Sequence, residues 1–213
     1  MNKKSAFIWD LDGTLLYSYE EIVSSVILTL DRFGIKKEED QVLPCLIRYS
    51  VKEYFSCIEE EYGIPFQSLD DLFQKFHISK YPEVTAAPHA MDILDSLKKQ
   101  GIPSFVFTHR GRNTTLPILE HLDMLSYFEE ILCTDDGFAR KPDPQAVSYL
   151  LDKYSLDPAR TYFVGDRKKD MECGKNAGIK TILYLPSYSV GEASGDEDYV
   201  IRDFPEILRI ITG

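Results

Sequence analysis

The chain has 213 residues, 44% of them hydrophobic and 28% charged, which is enough apolar material for one sizeable core or a core with a small accessory module. Lys and Arg total 24 against 35 Asp and Glu, giving a formal net charge of -11. A field of that sign repels nucleic acid and anionic membranes, so neither is expected as a partner.

The sequence opens on Met1–Lys4 and a short apolar run that lacks the length of a secretory segment. No apolar stretch approaches the roughly 18 residues of a membrane span. The cysteines Cys45, Cys57, Cys133 and Cys173 are scattered without C-x-x-C spacing, which predicts reduced packing thiols rather than a disulfide framework or zinc site. A cytoplasmic protein is expected.

The first predicted element is a strand at Ala6–Leu11. Helical periodicity then takes over from Tyr17 to Tyr81. Ile22, Val23, Val26, Leu30 and Phe33 share one helix face ending at Gly34. Val51, Tyr54, Phe55, Ile58 and Tyr62 form a second ending at Gly63, and Leu69, Leu72, Phe73 and Phe76 a third. Tyr81-Pro82 and Ala87-Pro88 mark the return, a plausible hinge. Ala90, Ile93, Leu94 and Leu97 then predict a helix stopped by Gly101.

From there strands and helices alternate. Strands are predicted at Ser104–Thr108, Glu130–Cys133, Thr161–Gly165 and Thr181–Leu185, and helices at Thr115–Met124, Pro144–Tyr154, Lys168–Ala177 and Phe204–Ile211. Gly191–Asp198 reads as a solvated acidic loop. The strands are nearly continuous in hydrophobicity, as suits burial on both faces of a parallel sheet. The rhythm predicts a doubly wound α/β core over residues 1–16 and 82–213, with an all-helical insert at 17–81.

Ligands of open parallel sheets bind beyond the carboxyl ends of the strands, and four predicted tips carry polar residues there. Asp10 and Asp12 follow the first strand with Gly13-Thr14 closing a turn. Two acids so close call for a hard cation, after which one can attack phosphorus and the other handle the proton. The ordinary alternative is a solvated Asx turn. Thr108-His109-Arg110 offers a hydroxyl and backbone N–H groups to an anion. Lys141 precedes a helix that Pro144 can start, so both can face one anion. Asp166 and Asp170 stand at a helix start, where acids also suit the helix dipole. Each tip alone has an ordinary explanation; four in this order are hard to ascribe to coincidence.

Asp10-Leu-Asp12-Gly-Thr14, Thr108, Lys141-Pro and Gly165-Asp166-x-x-x-Asp170 resemble the four motifs of the haloacid dehalogenase-like superfamily. The helical insert resembles the cap of its phosphoglycolate phosphatase-like and β-phosphoglucomutase-like branch. The resemblance implies a Rossmann-like core of strand order 5-4-1-2-3 and a mobile helical cap that sets specificity. It also implies a Mg2+-dependent phosphatase for a small phosphorylated metabolite. The acidic surface and small size are compatible with a monomer or weak dimer.

In the roles so implied, Asp10 is the nucleophile that forms an aspartyl-phosphate, and Asp12 is the general acid and base. Thr108 and Lys141 hold the phosphoryl group. Asp10, Asp12 (through its carbonyl), Asp166 and Asp170 make the metal site. His109 departs from the Asn common in the family, which puts it at the substrate-binding edge as a donor or a structural residue. A phosphomutase uses the same acids and is the enzymatic alternative. A phosphometabolite-binding regulatory protein without turnover is the alternative of another class, and it has no need of both Asp10 and Asp12. In the insert, Arg48, Lys52 and His77 read as solvated or structural.

Overall fold

The structure is a computed structural model that describes residues 5–187, 189 and 192–212. Met1–Lys4 and Gly191, on which the sequence reading drew, lie outside the described residues. In chain order the first elements are β1 (Ala6–Trp9), β2 (Leu16–Tyr17), α1 (Tyr19–Arg32), α2 (Glu39–Arg48), α3 (Val51–Tyr62), α4 (Phe66–Lys80) and β3 (Thr85–Ala86). They are followed by α5 (Ala90–Lys99), β4 (Ser104–Phe107), α6 (Arg112–His121), β5 (Phe128–Leu132) and α7 (Gln145–Lys153). The last are β6 (Thr161–Gly165), α8 (Lys168–Asn176), β7 (Lys180–Tyr184), β8 (Tyr199–Ile201) and α9 (Glu206–Thr212).

The chain divides into two compact units, Met1–Tyr17 with Ala86–Gly213 and Ser18–Thr85. Tyr17, expected with the helices, falls in the first unit, and residues 82–85, expected with the core, fall in the second. A 3-10 turn at Tyr81–Glu83 runs straight on from α4 and carries those residues with it.

The first unit is built on a parallel sheet in the order β5-β4-β1-β6-β7-β8. Counted along the chain, these strands run 3-2-1-4-5-6. Seen from the other edge, that is the expected 5-4-1-2-3 with a sixth strand added beyond the fifth. The sixth, β8, was not anticipated: it is three residues long and its central Val200 is exposed, so no apolar run marks it. The other strands follow their hydrophobicity. Phe7, Ile8, Trp9, Phe105, Val106, Phe163 and Val164 are fully buried, which only helices on both faces of a sheet can achieve. Ile8, Phe105, Phe107 and Phe163 pack with Val147 and Leu150 of α7 into one apolar cluster.

The chain fills one side of β1 with β4 and β5, then crosses to the other with β6, β7 and β8. The reversal makes the carboxyl end of β1 and its neighbours the switch point, where such sheets receive ligands.

The second unit buries Val23, Val26, Leu30, Val42, Leu46, Phe55, Ile58, Leu69 and Phe73 in its own core. Helix α3 begins at Ser50, whose Oγ accepts the Glu53 N–H at 3.2 Å, and stops at Gly63, held at φ +71°. The glycine stop is the one the sequence predicts, and the hydroxyl start comes from the structure. Helix α2 was missed. It carries Pro44 inside it and buries only Val42 and Leu46, so its apolar stripe is two residues wide.

His77 turns inward: its Nδ1 lies 2.8 Å from Glu21 Oε1, which also accepts the Ser25 hydroxyl at 2.9 Å, and its ring stacks on Phe73. Arg48 lies over the Tyr49 ring. Among the described residues no helix is long and apolar enough to cross a membrane.

Candidate active site

Asp10 is the first residue past β1, and its N–H donates to Val164 O at 2.9 Å, so β6 fixes its backbone like that of a strand residue. The chain then turns sharply. Gly13, at φ +78°, donates to Leu16 O, and the Thr14 N–H donates to Leu11 O, both at 3.0 Å. The turn aims the Thr14 hydroxyl at Asp166 Oδ1, 3.4 Å away.

Asp166 itself follows β6, and α8 begins after it. The Asp170 Oδ2 oxygen accepts the Arg167 N–H at 3.1 Å and so closes the first turn of α8. Gly165 makes this fold-back feasible: a Cβ there would meet Asp170 Cβ at 2.4 Å and Cγ at 2.5 Å. The glycine that the sequence places ahead of Asp166 is thus a steric requirement of Asp170.

Lys141 lies in the segment between β5 and α7, with only 1% of its side chain exposed. Its Nζ donates to Asp10 Oδ1 at 2.5 Å and to Asp170 Oδ1 at 2.8 Å, with the rings of Phe107 and Phe163 about it at 5.2 and 5.0 Å. Burial works against its charge, but Asp10 and Asp170 more than compensate and raise its pKa above the ordinary lysine value. For Asp10 the balance tips the other way. Burial, with Asp170 adding to it, outweighs Lys141 and pushes the carboxyl up to about 6.

One carboxylate oxygen from each of Asp10, Asp166 and Asp170 lies within 4.8 Å of the others, and all three residues are buried. Among the described residues the Asp10 Oδ2 atom is buried with no hydrogen-bond partner. An orphaned carboxylate oxygen inside an all-oxygen, acidic donor set fits a hard divalent cation, and such an ion at Oδ2 would offset the rise in the Asp10 pKa.

Asp12, by contrast, keeps its carboxylate out of this group. Arg110 holds it, with Nε at 3.1 Å from Oδ1 and 3.2 Å from Oδ2 and the terminal NH2 at 2.6 Å from Oδ1. Thr108, at the tip of β4, is buried and donates its N–H to Leu132 O, while its Oγ1 accepts the Arg110 N–H at 3.1 Å. His109 uses Nε2 to accept the Lys141 N–H at 2.9 Å. Burial, and then the positive charges of Lys141 and Arg140, hold its pKa far below the ordinary histidine value. The ring is neutral, with its proton on Nδ1.

The structure thus brings Asp10, Thr108, Lys141, Asp166 and Asp170 to one end of one sheet, with Asp12 beside them. The sequence reading offered His109 to the substrate, and the structure gives its Nε2 to the Lys141 backbone. It also missed Arg110 as the partner of Asp12. The available signal was an arginine two residues past the strand-end threonine, at the tip beside β1.

Residues 7–184 match the family of haloacid dehalogenase-like hydrolases. The chain is similar to "Pyrophosphatase PpaX" of Bacillus velezensis, with 32% identity over 97% of this chain and 95% of that one. It is similar also to "Phosphoglycolate phosphatase" of Agrobacterium fabrum, with 31% identity over 92% of this chain and 88% of the other. The crystal structure of a predicted phosphoglycolate phosphatase from Haemophilus somnus shares the fold, with a TM-score of 0.84, 24% identity and 99% of both chains covered. The chain belongs to the haloacid dehalogenase-like hydrolases, and it stands with their phosphatases.

Proposed function

We propose that the protein is a Mg2+-dependent phosphatase that hydrolyses a small phosphorylated metabolite through an aspartyl-phosphate on Asp10. The observation that carries the reading is the state of the Asp10 carboxylate. Oδ1 is held by the buried Lys141 ammonium, and Oδ2 is orphaned beside two further acids. A carboxylate so fixed is prepared to attack an anion that brings, or meets, positive charge.

Asp10 attacks phosphorus with a carboxylate oxygen. The bond to the leaving oxygen breaks, its electron pair stays on that oxygen, and Asp12, which enters this step protonated, supplies the proton. Water then attacks the phosphoryl group and gives a proton to Asp12, while the bond to Asp10 breaks and its pair returns to the carboxylate. One phosphate ester and one water become an alcohol and inorganic phosphate. Lys141 offsets charge on the nucleophile and the phosphoryl oxygens, and the Thr108 hydroxyl orients the group. Asp10, Asp166 and Asp170 would hold the divalent cation, which supplies further neutralisation of phosphoryl charge when bound.

The relatives' names suggest pyrophosphate and phosphoglycolate as the substrates to try first. Both are small, and both carry a second acidic group. The thiols of Cys45, Cys57, Cys133 and Cys173 are unbridged, in support of a cytoplasmic location.

Release of phosphate from an aryl phosphate with and without Mg2+ tests the reading, with Asp10→Asn as control. Turnover should require the metal and fall by at least about 10³-fold in the variant, as removal of a nucleophile does. Equal turnover by Asp10→Asn sinks the proposal. Isomerisation of a sugar phosphate without net release would point to the phosphomutase instead.

A further inference from the structure

We infer that Arg110 is a positioning residue, which fixes the orientation of the Asp12 carboxylate for its two proton transfers. The inference rests on the phosphatase reading for the role of Asp12. Its geometry stands by itself.

Asp12 and Arg110 are 98 positions apart and sit on neighbouring tips, beyond β1 and β4. Arg110 is anchored at both ends of its backbone: its N–H donates to Thr108 Oγ1, and its carbonyl accepts the Thr134 N–H at 3.2 Å. The Arg110 side chain is 1% exposed, whereas the Asp12 side chain is 18% exposed. The donor is therefore fixed and buried, and the acid that it holds faces outward.

Two features favour positioning over a plain structural pair. A partly buried ion pair adds little net stability over apolar side chains of equal size, so stability alone does not account for a charged pair here. The contact also has the form that fixes orientation. The planar guanidinium engages with two nitrogens, and a carboxylate bound to that fork has lost rotation about its own bonds. An acid–base group must meet both a leaving oxygen and a water within hydrogen-bond reach, and freedom to rotate away lowers the rate of both steps. The turn through Gly13 fixes the Asp12 backbone but not its side chain. Arg110 constrains that side chain.

The test compares wild type, Arg110→Gln, Arg110→Lys, Asp12→Asn and the double variant Asp12→Asn/Arg110→Gln, assayed with Mg2+ on aryl phosphates of increasingly basic leaving groups. Arg110→Gln should lower kcat on the order of 10²-fold for the most basic leaving groups, the low end of what general acid–base catalysis contributes. KM should stay level, the loss should shrink as the leaving group improves, and Arg110→Lys should restore part of it. In the Asp12→Asn background the same change should cost no more than about twofold, the margin of simple additivity.

An undiminished loss in that background overturns the inference, as does a rise in KM at constant kcat. Crystal structures of Arg110→Gln and Arg110→Lys give a readout independent of turnover. Asp12 should take more than one rotamer in the glutamine variant, and one unchanged rotamer there overturns the inference even if the protein proves to be no phosphatase. Absence of Mg2+-dependent release by wild type would instead sink the phosphatase reading and, with it, the catalytic meaning of the contact.

Discussion

The Nε2 of His109 accepts the backbone N–H of Lys141 at 2.9 Å, across 32 positions of sequence. The bond ties the loop beyond β4 to the segment that carries the buried ammonium, and it requires a neutral imidazole. Because the folded state holds this ring's pKa down, the unfolded chain binds more protons below the ordinary histidine value of about 6.5.

The His109 contribution to stability is therefore fully present above that value and is lost as pH falls through it. Thermal melts of wild type and His109→Gln should show wild type losing ground as pH drops from about 7.5 to 5. The slope is at most one proton's worth, about 1.4 kcal/mol per pH unit. A difference between the two proteins that does not change with pH would contradict the neutral ring.

Gly165→Ala tests the close approach of β6 to α8. With a methyl group 2.4 Å from Asp170 Cβ, the helix start must shift. Overpacking of this kind costs about 1–3 kcal/mol. Turnover should fall more than stability does, because Asp170 carries one end of the Lys141 ammonium. Chemical denaturation alongside kcat would show the imbalance, and a fully active variant would refute it.

Asp166→Asn addresses the cation site without reference to turnover. In wild type, Mg2+ at about 100 times its Kd should stabilise the fold by about 2.7 kcal/mol, visible as a raised Tm. The variant should need far more Mg2+ for the same rise. An unchanged titration would remove Asp166 from the proposed ligand set.

Lys141→Met takes away the buried cation and leaves the Asp10 and Asp170 carboxylates facing each other. Breaking a buried pair in this way costs about 3–5 kcal/mol. Protonation of Asp10 relieves the repulsion, so the variant should be less destabilised in acid than at neutral pH. Urea unfolding at both pH values measures this; an equal cost at both would argue against the carboxylate contact.

Strands that carry the site were legible because burial on both faces leaves a continuous apolar run, and Thr161–Gly165 was predicted to the residue. The tips were legible as acids, threonine and lysine placed after such runs. What escaped was either short, like β8, or dependent on contacts far apart in sequence. Neither the Asp12–Arg110 fork nor the inward turn of His77 toward Glu21 leaves a local pattern, since each joins segments that only the folded chain brings together. Helix α2 escaped for a third reason, its proline and narrow apolar stripe.

Asp170 accepts the Arg167 N–H through one oxygen and the Lys141 ammonium through the other. One carboxyl group thus both nucleates a helix and balances a charge, so neither task can be tuned alone. A longer acid would reach differently toward the lysine and forfeit the first turn, while an amide would keep the turn and surrender the charge. Any redesign of the pocket's electrostatics has to leave this position alone and work through its neighbours.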